Sequence, residues 1–310
     1  MPPRPAPTGA LVLTAGLGTR LRPLTADRAK PALPVAGPTL VERILRGLSR
    51  QGVRRVLLNL HYRPETITSV VGDGSGLGVH VRYSWEVPLL GSGGGPRRAF
   101  SLVPDDRLWL VNGDTLTDVL LAAMAAEHAA SDALVTMAVI PNPAPERYGG
   151  VAVTPQGEVT EFVPRGSASP TWHFVGVQIA ERDAFASLAD GVPADSVGPL
   201  YRALIASRPG AVRAFRSHAR FVDIGTPRDY LDTCLSLAGT SLVAGARVEV
   251  DPSARLEACV LWDDVRIGRG VRLRRVVVGE GVHLPDGYQA DNAVVVSGAG
   301  GPEVTQLARM

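Results

Sequence analysis

The sequence predicts an α/β protein, built on a doubly wound, mostly parallel sheet and followed by a small β-helix. Two observations carry this prediction. Short apolar runs alternate with helical stretches through the first part of the chain, as in βαβ units. Beyond Gly239, short apolar-x-apolar units recur with a 17-residue period, which indicates a β-helix. Because 310 residues exceed one typical core, we expect a main domain at 1–239 and a second domain at 240–310.

The first elements are predicted from periodicity and from helix-ending residues. Leu11-Val12-Leu13 is an apolar run of the kind that a buried parallel strand shows. Residues 38–51 have apolar side chains at helical spacing, and Gly52 ends this predicted helix. By the same criteria, strands are predicted at 11–13, 54–60, 79–84 and 108–112, and helices at 38–51, 64–71 and 96–102. In such sheets ligands bind at the carboxyl ends of the strands.

After Tyr148 the pattern changes to short β-like runs separated by Pro and Gly. We interpret about 145–220 as an antiparallel insertion that forms the substrate half of the main domain. The runs lie at 151–153, 159–163 and 174–179, and helices are predicted at 196–207 and 227–237. Thr226 is the expected N-cap of the last helix, because Pro227 follows at its first position.

The C-terminal units begin at Val248, Ala254, Val265, Val271 and Val282, which are 6, 11, 6 and 11 residues apart. Two steps therefore make a 17-residue period. Each coil of a β-helix buries its inward residues only by stacking on the next coil, so a repeat of this kind predicts about three stacked coils. A pair of ordinary hairpins is the alternative.

Composition favours a small-molecule partner. The chain is 45% hydrophobic and 20% charged, with a net charge of +2, which gives no reason to expect nucleic acid. No stretch approaches the roughly 20 apolar residues of a membrane span. Cys234 and Cys259 fit neither a metal motif nor a disulfide scaffold, so we expect a cytoplasmic protein.

The segment after the first strand has the composition of a phosphate-binding loop. Small residues from Ala15 to Thr19 leave backbone N–H groups open to phosphate oxygens. Arg20 adds a forked cation, and Lys30, the single lysine beside 31 arginines, adds a compact point charge. A dinucleotide fingerprint does not fit, because Leu21 occupies its third glycine position, and the G-K-[ST] ending of a Walker A loop is absent.

Two aspartates are candidate magnesium ligands. Asp114 follows a predicted buried strand and a glycine, and Asp223 stands before Ile224-Gly225-Thr226-Pro227. Magnesium that is bound to a nucleotide takes one or two protein carboxylates and completes its shell with phosphate oxygens and water. Two aspartates would therefore suffice, although each alone could be a turn or cap residue.

Residues 11–37 resemble, over their whole length, the signature G-x-G-T-R-L-x-P-L-T followed by K-P of the sugar-1-phosphate nucleotidyltransferases, or nucleoside-diphosphate-sugar pyrophosphorylases. The pattern is most similar to mannose-1-phosphate guanylyltransferase-like members. The resemblance implies a Rossmann-like catalytic domain with a C-terminal left-handed β-helix. It also implies that Asp114 and Asp223 hold Mg²⁺.

The implied reaction is in-line attack by a sugar 1-phosphate oxygen on the α-phosphorus of a nucleoside triphosphate, with pyrophosphate leaving. Arg20 would clamp the departing phosphates, and Lys30 would stabilise charge around the reacting phosphates, with Asp114 as the third catalytic residue. The attacking oxygen is already ionised at pH 7, so no general base is expected.

The resemblance also implies binding residues. Nucleotide binding is expected at Ala15, Gly16, Gly18, Thr19, Arg20, Glu86, Gly91, Ser92 and Gly93. Sugar-phosphate binding is expected at Gly149, Glu161, Arg165 and Gly176. Glu86 favours GTP, because guanine presents two adjacent donors on its pairing edge, yet some uridylyltransferases of the family carry Glu there too. Arg165 stands in for the usual lysine of an E-K-P motif, and the family's Asn before Gly176 is missing, which leaves the sugar open.

Three functions remain compatible with the sequence. The first is guanylyl transfer to a mannose- or heptose-type 1-phosphate. The second is uridylyl transfer to an amino-sugar 1-phosphate, such as N-acetylmuramate 1-phosphate. The third is a non-catalytic regulatory subunit that binds a nucleoside diphosphate sugar. Intact Arg20, Lys30, Asp114 and Asp223 argue against the third. The β-helix is expected to serve assembly into a homo-oligomer.

Overall fold

The computed structural model describes residues 5–167, 170–298 and 301–307. By its internal contacts the chain forms two compact units, one of residues 1–16 and 41–221 and the other of residues 17–40 and 222–310. This division differs from the predicted limit at residue 239, because the signature segment 17–40 groups with the C-terminal part. Among the described residues, no helix has both the length and the apolar character that crossing a membrane requires.

The first unit is a sheet with helices along its connections. Its strand order is β10-β6-β9-β4-β1-β2-β3, with β7 paired to β9 and β8 paired to β7. The strands are β1 Gly9–Leu13, β2 Arg55–Leu60, β3 His80–Trp85, β4 Arg107–Asn112, β5 Thr115–Thr117, β6 Val135–Pro141, β7 Gly150–Val153, β8 Val159–Val163, β9 Trp172–Glu181 and β10 Val212–Arg216. The helices are α1 Leu40–Arg50, α2 Pro64–Val71, α3 Gly91–Leu102, α4 Leu121–Ala129 and α5 Tyr201–Ser207.

The sheet is mostly parallel, as predicted. β1 is parallel to both β2 and β4, whereas β9 is antiparallel to β4 and β6. The apolar runs are buried because helices and neighbouring strands cover them; Leu11, Val12 and Leu58 are each 0% exposed. The register places Leu13 beside Asn112, so the carboxyl ends of β1 and β4 lie side by side.

Several parts of this unit differ from the prediction. Helix α3 begins at Gly91 and not near Pro96, so the glycine run forms its first turn. The predicted helix at 196–207 is an irregular turn at Ser196–Leu200, with non-helical backbone at Val197 and Gly198, followed by α5. Strands β5, β6 and β10 and helix α4 were not predicted.

The second unit is built around a β-helix that follows helix α6. Strand β11, Phe221–Asp223, includes the last residue of the first unit and the residues at which the second resumes. The other elements of the second unit are α6 Pro227–Ala238, β12 Leu242–Ala244, β13 Glu249–Val250, β14 Arg255–Glu257, β15 Cys259–Leu261, β16 Arg266–Ile267, β17 Arg272–Val278, β18 His283–Leu284, β19 Gln289–Gly298 and β20 Gly301–Gln306. Thr226 caps α6 as predicted, since its side chain and that of Asp229 form a reciprocal capping box.

The 17-residue period is the structural repeat. Leu242 pairs with Cys259, and Arg255 pairs with Arg272, each partner 17 positions further along and on a parallel strand. The inward side chains of successive coils form one apolar core. β19 pairs with β20 in antiparallel fashion, so the last strand of the unit is not a further coil.

The corners of the coils repeat with the same period. Ala258, Arg275 and Asn292 all have a φ near +50°, at 53°, 54° and 48°, and each is 17 positions from the next. Arg247 and Asp264, with φ of 53° and 59°, form a second such row. Side chains adopt this left-handed conformation only at an energetic cost, so the corners are set by the coil geometry and not by local preference.

Candidate functional site

The carboxyl ends of β1 and β4 position the first candidate residues. The Gly113 N–H donates to the Leu13 carbonyl at 3.0 Å. A Cβ on Gly113 would lie 2.4 Å from that same carbonyl oxygen, so the close approach of the two strand ends requires glycine. Asp114, which follows, is half-buried at this edge. Its predicted place at a strand end is therefore confirmed, while its role stays a prediction.

The loop after β1 begins beside these strand ends. Ala15 is 2% exposed, whereas Gly16 is exposed and a Cβ there would meet nothing within 4 Å. Packing within the chain therefore gives no reason for glycine at position 16. Free space next to a bare backbone is what the close approach of a ligand would use.

A chain of hydrogen bonds joins the ends of β1 and β2 to the loop before α3. The Thr14 N–H donates to Asn59 Oδ1 at 2.7 Å, and Asn59 Nδ2 donates to Glu86 Oε1 at 2.8 Å. The other carboxylate oxygen, Glu86 Oε2, accepts from the Leu90 N–H at 2.9 Å. His61 Nδ1 lies 2.8 Å from the Glu86 carbonyl. This network holds the loop 86–90 against the strand ends.

Glu86 is therefore placed differently from a residue that reads a base. It is 1% exposed, and both of its carboxylate oxygens accept from donors of the chain itself. A Cβ on Gly95 would lie 2.9 Å from Glu86 Oε1 and 3.1 Å from Asn59 Nδ2, so helix α3 packs directly on this pair. The structure favours a positioning role, and base reading by Glu86 stays a prediction.

The glycine run that opens α3 is packed against the segment 192–196. The Ala194 carbonyl accepts from the N–H groups of Gly93 at 2.7 Å and Gly94 at 3.2 Å. Ser92 Oγ accepts from the Ser196 N–H at 3.0 Å. A Cβ on Gly91 would lie 2.8 Å from the Ala194 carbonyl oxygen. These contacts explain the glycines by packing, and nucleotide binding at Gly91, Ser92 and Gly93 stays a prediction.

The residues predicted to bind the sugar phosphate lie on and beside β7, β8 and β9. Glu161 and Arg165 are exposed, on β8 and in the turn after it. Gly149 is also exposed, just before β7. Gly176 on β9 has a φ of 83°, and a Cβ there would lie 2.7 Å from Thr115 Oγ1. This last glycine is thus required by the approach of β9 to the residues around Asp114.

An aromatic cluster in this region was missed in the sequence. The Tyr148 ring lies 4.5 Å from that of His173 and 5.6 Å from that of Phe221, and His173 lies 4.6 Å from Phe221. The Arg147 guanidinium lies 5.1 Å from the Tyr148 ring centroid. The three rings are far apart in the chain, so no spacing rule predicts the cluster, although Tyr148 adjoins the predicted Gly149.

The second unit carries the remaining candidates, beginning with Lys30. Gly18 adopts a left-handed conformation with a φ of 63°, and its carbonyl accepts from Thr25 Oγ1 at 2.8 Å. A Cβ on Gly18 would lie 3.3 Å from Lys30 Cβ and 3.3 Å from Thr25 Cγ2. Lys30 is 8% exposed. The signature segment therefore folds back on itself and brings Lys30 against Gly18, while phosphate binding by these residues stays a prediction.

Arg20 and Asp223 lie close together within the same unit. The position of a Cβ on Gly225 would be 3.0 Å from Asp223 Oδ2, 3.3 Å from Arg20 Nη1 and 3.4 Å from Asp229 Oδ2. Gly225 thus leaves room for a cation and two carboxylates to converge. Thr19 and Arg20 are exposed, and Asp223 is half-buried.

The donor chemistry of Asp114 and Asp223 fits magnesium. Both are half-buried carboxylates. Asp114 directly follows Gly113, and Asp223 Oδ2 lies 3.0 Å from the position that a Cβ on Gly225 would take. Among the described residues there is no group of three or more His, Cys, Asp or Glu side chains arranged as a metal site. A nucleotide-bound magnesium does not need one, because phosphate oxygens and water supply the other ligands.

The chain belongs to the nucleotidyl transferase family, whose model matches residues 9–239. A second model, described as GlmU-like, C-terminal hexapeptide, matches residues 237–292. The predicted family and the predicted fold, including the left-handed β-helix, are thereby confirmed. Membership of this family supports an enzymatic function, the transfer of a nucleotidyl group to a sugar 1-phosphate.

Relatives agree with this assignment. The chain is 30% identical over 292 residues to a mannose-1-phosphate guanylyltransferase of Mycobacterium tuberculosis, covering 90% of this chain and 81% of that protein. It is 32% identical over 223 residues to a D-glycero-alpha-D-manno-heptose 1-phosphate guanylyltransferase of Aneurinibacillus thermoaerophilus, covering 71% and 94%. Uridylyltransferases are also among the relatives.

A solved structure shows the same fold for the main domain. The crystal structure of HddC from Yersinia pseudotuberculosis complexed with GMP-PN matches with a TM-score of 0.64 and 24% identity. The match covers 74% of this chain and 99% of that protein. At this identity the likeness concerns the fold alone.

Proposed function

We propose that this family member transfers a guanylyl group from GTP to a mannose- or heptose-type 1-phosphate in a Mg²⁺-dependent reaction. The observation that carries the proposal is the packing of Lys30 on Gly18, together with the convergence of Arg20 and Asp223 around Gly225. Lysine and arginine cations bind phosphate oxygens and a carboxylate binds magnesium, so these three side chains are of the types that a polyphosphate and its magnesium need.

In the proposed reaction an oxygen of the sugar 1-phosphate forms a bond to the α-phosphorus of GTP. The α–β phosphoanhydride bond breaks, and pyrophosphate leaves with the bonding electron pair. Lys30 holds positive charge beside the reacting phosphates, and Arg20 binds the departing β and γ phosphates through its forked donors. We propose Asp114 and Asp223 as the magnesium ligands; bound magnesium would neutralise the phosphate charge.

The choice of guanine rests on the relatives and not on Glu86. The two relatives described above are guanylyltransferases that act on mannose and heptose 1-phosphates. Because Glu86 is buried with both oxygens engaged, we propose that it shapes the nucleotide loop for any base. Uridylyl transfer is the second candidate, because the buried Glu86 carboxylate does not supply the acceptor that would have favoured guanine.

We also propose that the protein acts in the cytoplasm as a homo-oligomer. Both cysteines are buried and free, which fits a reducing compartment. A β-helix offers flat faces that a second copy can cover. Light scattering of the purified protein measures the assembly directly: a mass above 32.6 kDa supports it, and the monomer mass contradicts it.

The test is pyrophosphate release with Mg²⁺, measured for five nucleoside triphosphates against mannose, glucose, heptose and N-acetylmuramate 1-phosphates. We expect release that is fastest with GTP and that falls by about 100-fold or more in Lys30→Ala, Asp114→Asn and Asp223→Asn. Asp118→Asn is the control, because Asp118 is an exposed carboxylate that pairs with Arg220. Release with UTP alone would overturn the base assignment, and binding without release would favour the regulatory alternative.

A further inference from the structure

The β-helix cap, which we define as residues 242–306, is joined to the signature segment by a buried tyrosine and a tryptophan. Trp262 of the cap donates its Nε1–H to the hydroxyl of Tyr230 on α6 at 2.8 Å. The Tyr230 hydroxyl in turn donates to the carbonyl of Pro34. Tyr230 is fully buried, and burial raises its pKa well above the usual value, so it remains a donor at physiological pH.

The same tryptophan contacts a second point of the signature segment. The Arg28 guanidinium lies 5.1 Å from the Trp262 ring centroid, and it also pairs with Glu280 of the cap. A guanidinium over an indole face is attracted by the ring electrons, and the ion pair adds a charged hydrogen bond. Arg28 is therefore held by two cap residues at once.

Lys30 lies between these two anchor points. Residues 30–32 form a tight helical turn, in which the Leu33 N–H donates to the Lys30 carbonyl at 3.1 Å. Arg28 precedes Lys30 by two positions, and Pro34 follows it by four. Because so short a segment has little freedom between fixed ends, the anchors determine where the Lys30 backbone lies.

The helix that carries Tyr230 is itself fixed to the cap. Asp232 on α6 pairs with Arg275 of the cap at 2.7 Å. Cys234 Sγ lies 3.9 Å from the Pro34 carbonyl oxygen, next to the tyrosine contact. The anchors therefore belong to one continuous set of contacts from the coils to the signature segment.

We propose that the β-helix cap positions Lys30, through Trp262 and Glu280 acting on Arg28 and through Tyr230 acting on Pro34. The inference rests on the proposed function, because Lys30 is the charge beside the reacting phosphates. Tyr230, Trp262, Glu280 and Arg28 are positioning residues, since none of them needs to touch substrate. The cap thereby contributes to turnover and not to assembly alone.

The kinetic test uses the full chain with Tyr230→Phe, Trp262→Phe and Glu280→Gln. We expect kcat to fall by roughly 10- to 100-fold, because a displacement of about 1 Å at a catalytic group has an effect of that order. KM for both substrates should change by less than about threefold, since Arg20 and the glycine loop remain. Asp286→Asn is the matched control: it breaks a cap ion pair with Arg269 at 2.8 Å and should leave kcat unchanged.

A second readout does not depend on activity. Hydrogen exchange should accelerate by about 10-fold or more at the amides of Ala32 and Leu33 in Tyr230→Phe and Glu280→Gln, and stay unchanged in Asp286→Asn. If the natural protein shows no transfer at all, the proposed function fails, and exchange still decides whether the cap holds this segment. Unchanged kcat in an active enzyme, or unchanged exchange in Tyr230→Phe, would overturn the inference.

Discussion

Glu86 shows how a polar residue can serve a site without facing its ligand. Its two carboxylate oxygens accept from Asn59 and from the Leu90 N–H, and Gly95 lets helix α3 pack on that pair. A buried carboxylate that is fully hydrogen-bonded holds its neighbours in one arrangement. The loop that leads into α3 is therefore fixed before any nucleotide arrives.

Glu86→Gln tests this role. The amide replaces one acceptor oxygen by a donor, which leaves either Asn59 Nδ2 or the Leu90 N–H without its acceptor and costs about 1–3 kcal/mol of stability. We expect kcat/KM for GTP and UTP to fall by the same factor. A fall for GTP with no change for UTP would show instead that Glu86 reads the guanine edge.

Gly16 and Gly113 are glycines for different reasons, and substituting each by alanine should distinguish the two reasons. Gly113→Ala places a Cβ 2.4 Å from the Leu13 carbonyl, so we expect a loss of about 1–3 kcal/mol in the free energy of unfolding. Gly16→Ala meets no atom within 4 Å, so stability should change by less than about 1 kcal/mol while nucleotide affinity falls. Denaturant unfolding and nucleotide titration measure the two effects, and equal stability losses would contradict the distinction.

At the scale of elements, the β-helix is held by contacts that repeat every 17 residues. Ion pairs follow the period as well as the strands: Arg247 with Asp264, Arg269 with Asp286 and Arg274 with Asp291. Each pair joins one coil to the next on the solvent side, while the apolar core joins them inside. Each exposed ion pair contributes little stability by itself. We therefore expect the pairs together to make the stability of the protein depend on pH.

That pH dependence has a definite sign. Hydrogen bonds from Arg247 lower the pKa of Asp264, and hydrogen bonds from Arg269 lower the pKa of Asp286. Because the folded pKa lies below the unfolded value of about 3.9, the stabilisation is fully present above that value and is lost as pH falls through the folded pKa. We expect the denaturant concentration at the unfolding midpoint to fall as the pH is lowered below about 4. It should fall less in the Asp264→Asn, Asp286→Asn double variant. An equal drop in both proteins would contradict the assignment.

Ala258 provides a test of the corner geometry. Its φ of 53° is unfavourable for alanine by about 1–2 kcal/mol, whereas glycine adopts it freely at an entropic cost of about 0.5–1 kcal/mol. Ala258→Gly should therefore stabilise the protein by about 0.5–1 kcal/mol in denaturant unfolding. Ala254→Gly, at a position without positive φ, should destabilise it; stabilisation by both changes would refute the corner argument.

For the whole molecule, the parts that sequence predicts are those set by local or periodic patterns. The 17-residue repeat, the βαβ alternation and the Thr226 cap all follow from spacing, and all are confirmed. The start of α3 was wrong because glycines have low helix propensity, and contacts with Ala194, about a hundred residues away, override that preference. The burial of Glu86 was missed for a related reason, since its partner Asn59 lies on strand β2, 27 positions away in the chain.

The grouping of the signature segment was the largest difference. Sequence assigns residues 17–40 to the sheet domain, because they follow its first strand directly. The contacts group them with α6 and the β-helix cap, through Tyr230, Trp262 and Glu280. No pattern in the sequence relates Arg28 to a glutamate 252 positions away. Only the three-dimensional structure shows that Lys30, the predicted catalytic lysine, belongs to the same compact unit as the cap.

Nucleotidyl transfer can be observed by ³¹P NMR of a single reaction. GTP, mannose 1-phosphate and Mg²⁺ are incubated with the natural protein, and the phosphorus-containing products are identified and counted. We predict equal amounts of pyrophosphate and a nucleoside diphosphate sugar, with no orthophosphate, because the α–β bond is the one that breaks. Orthophosphate with GDP, or unchanged GTP with every sugar phosphate although nucleotide binds, would contradict the account.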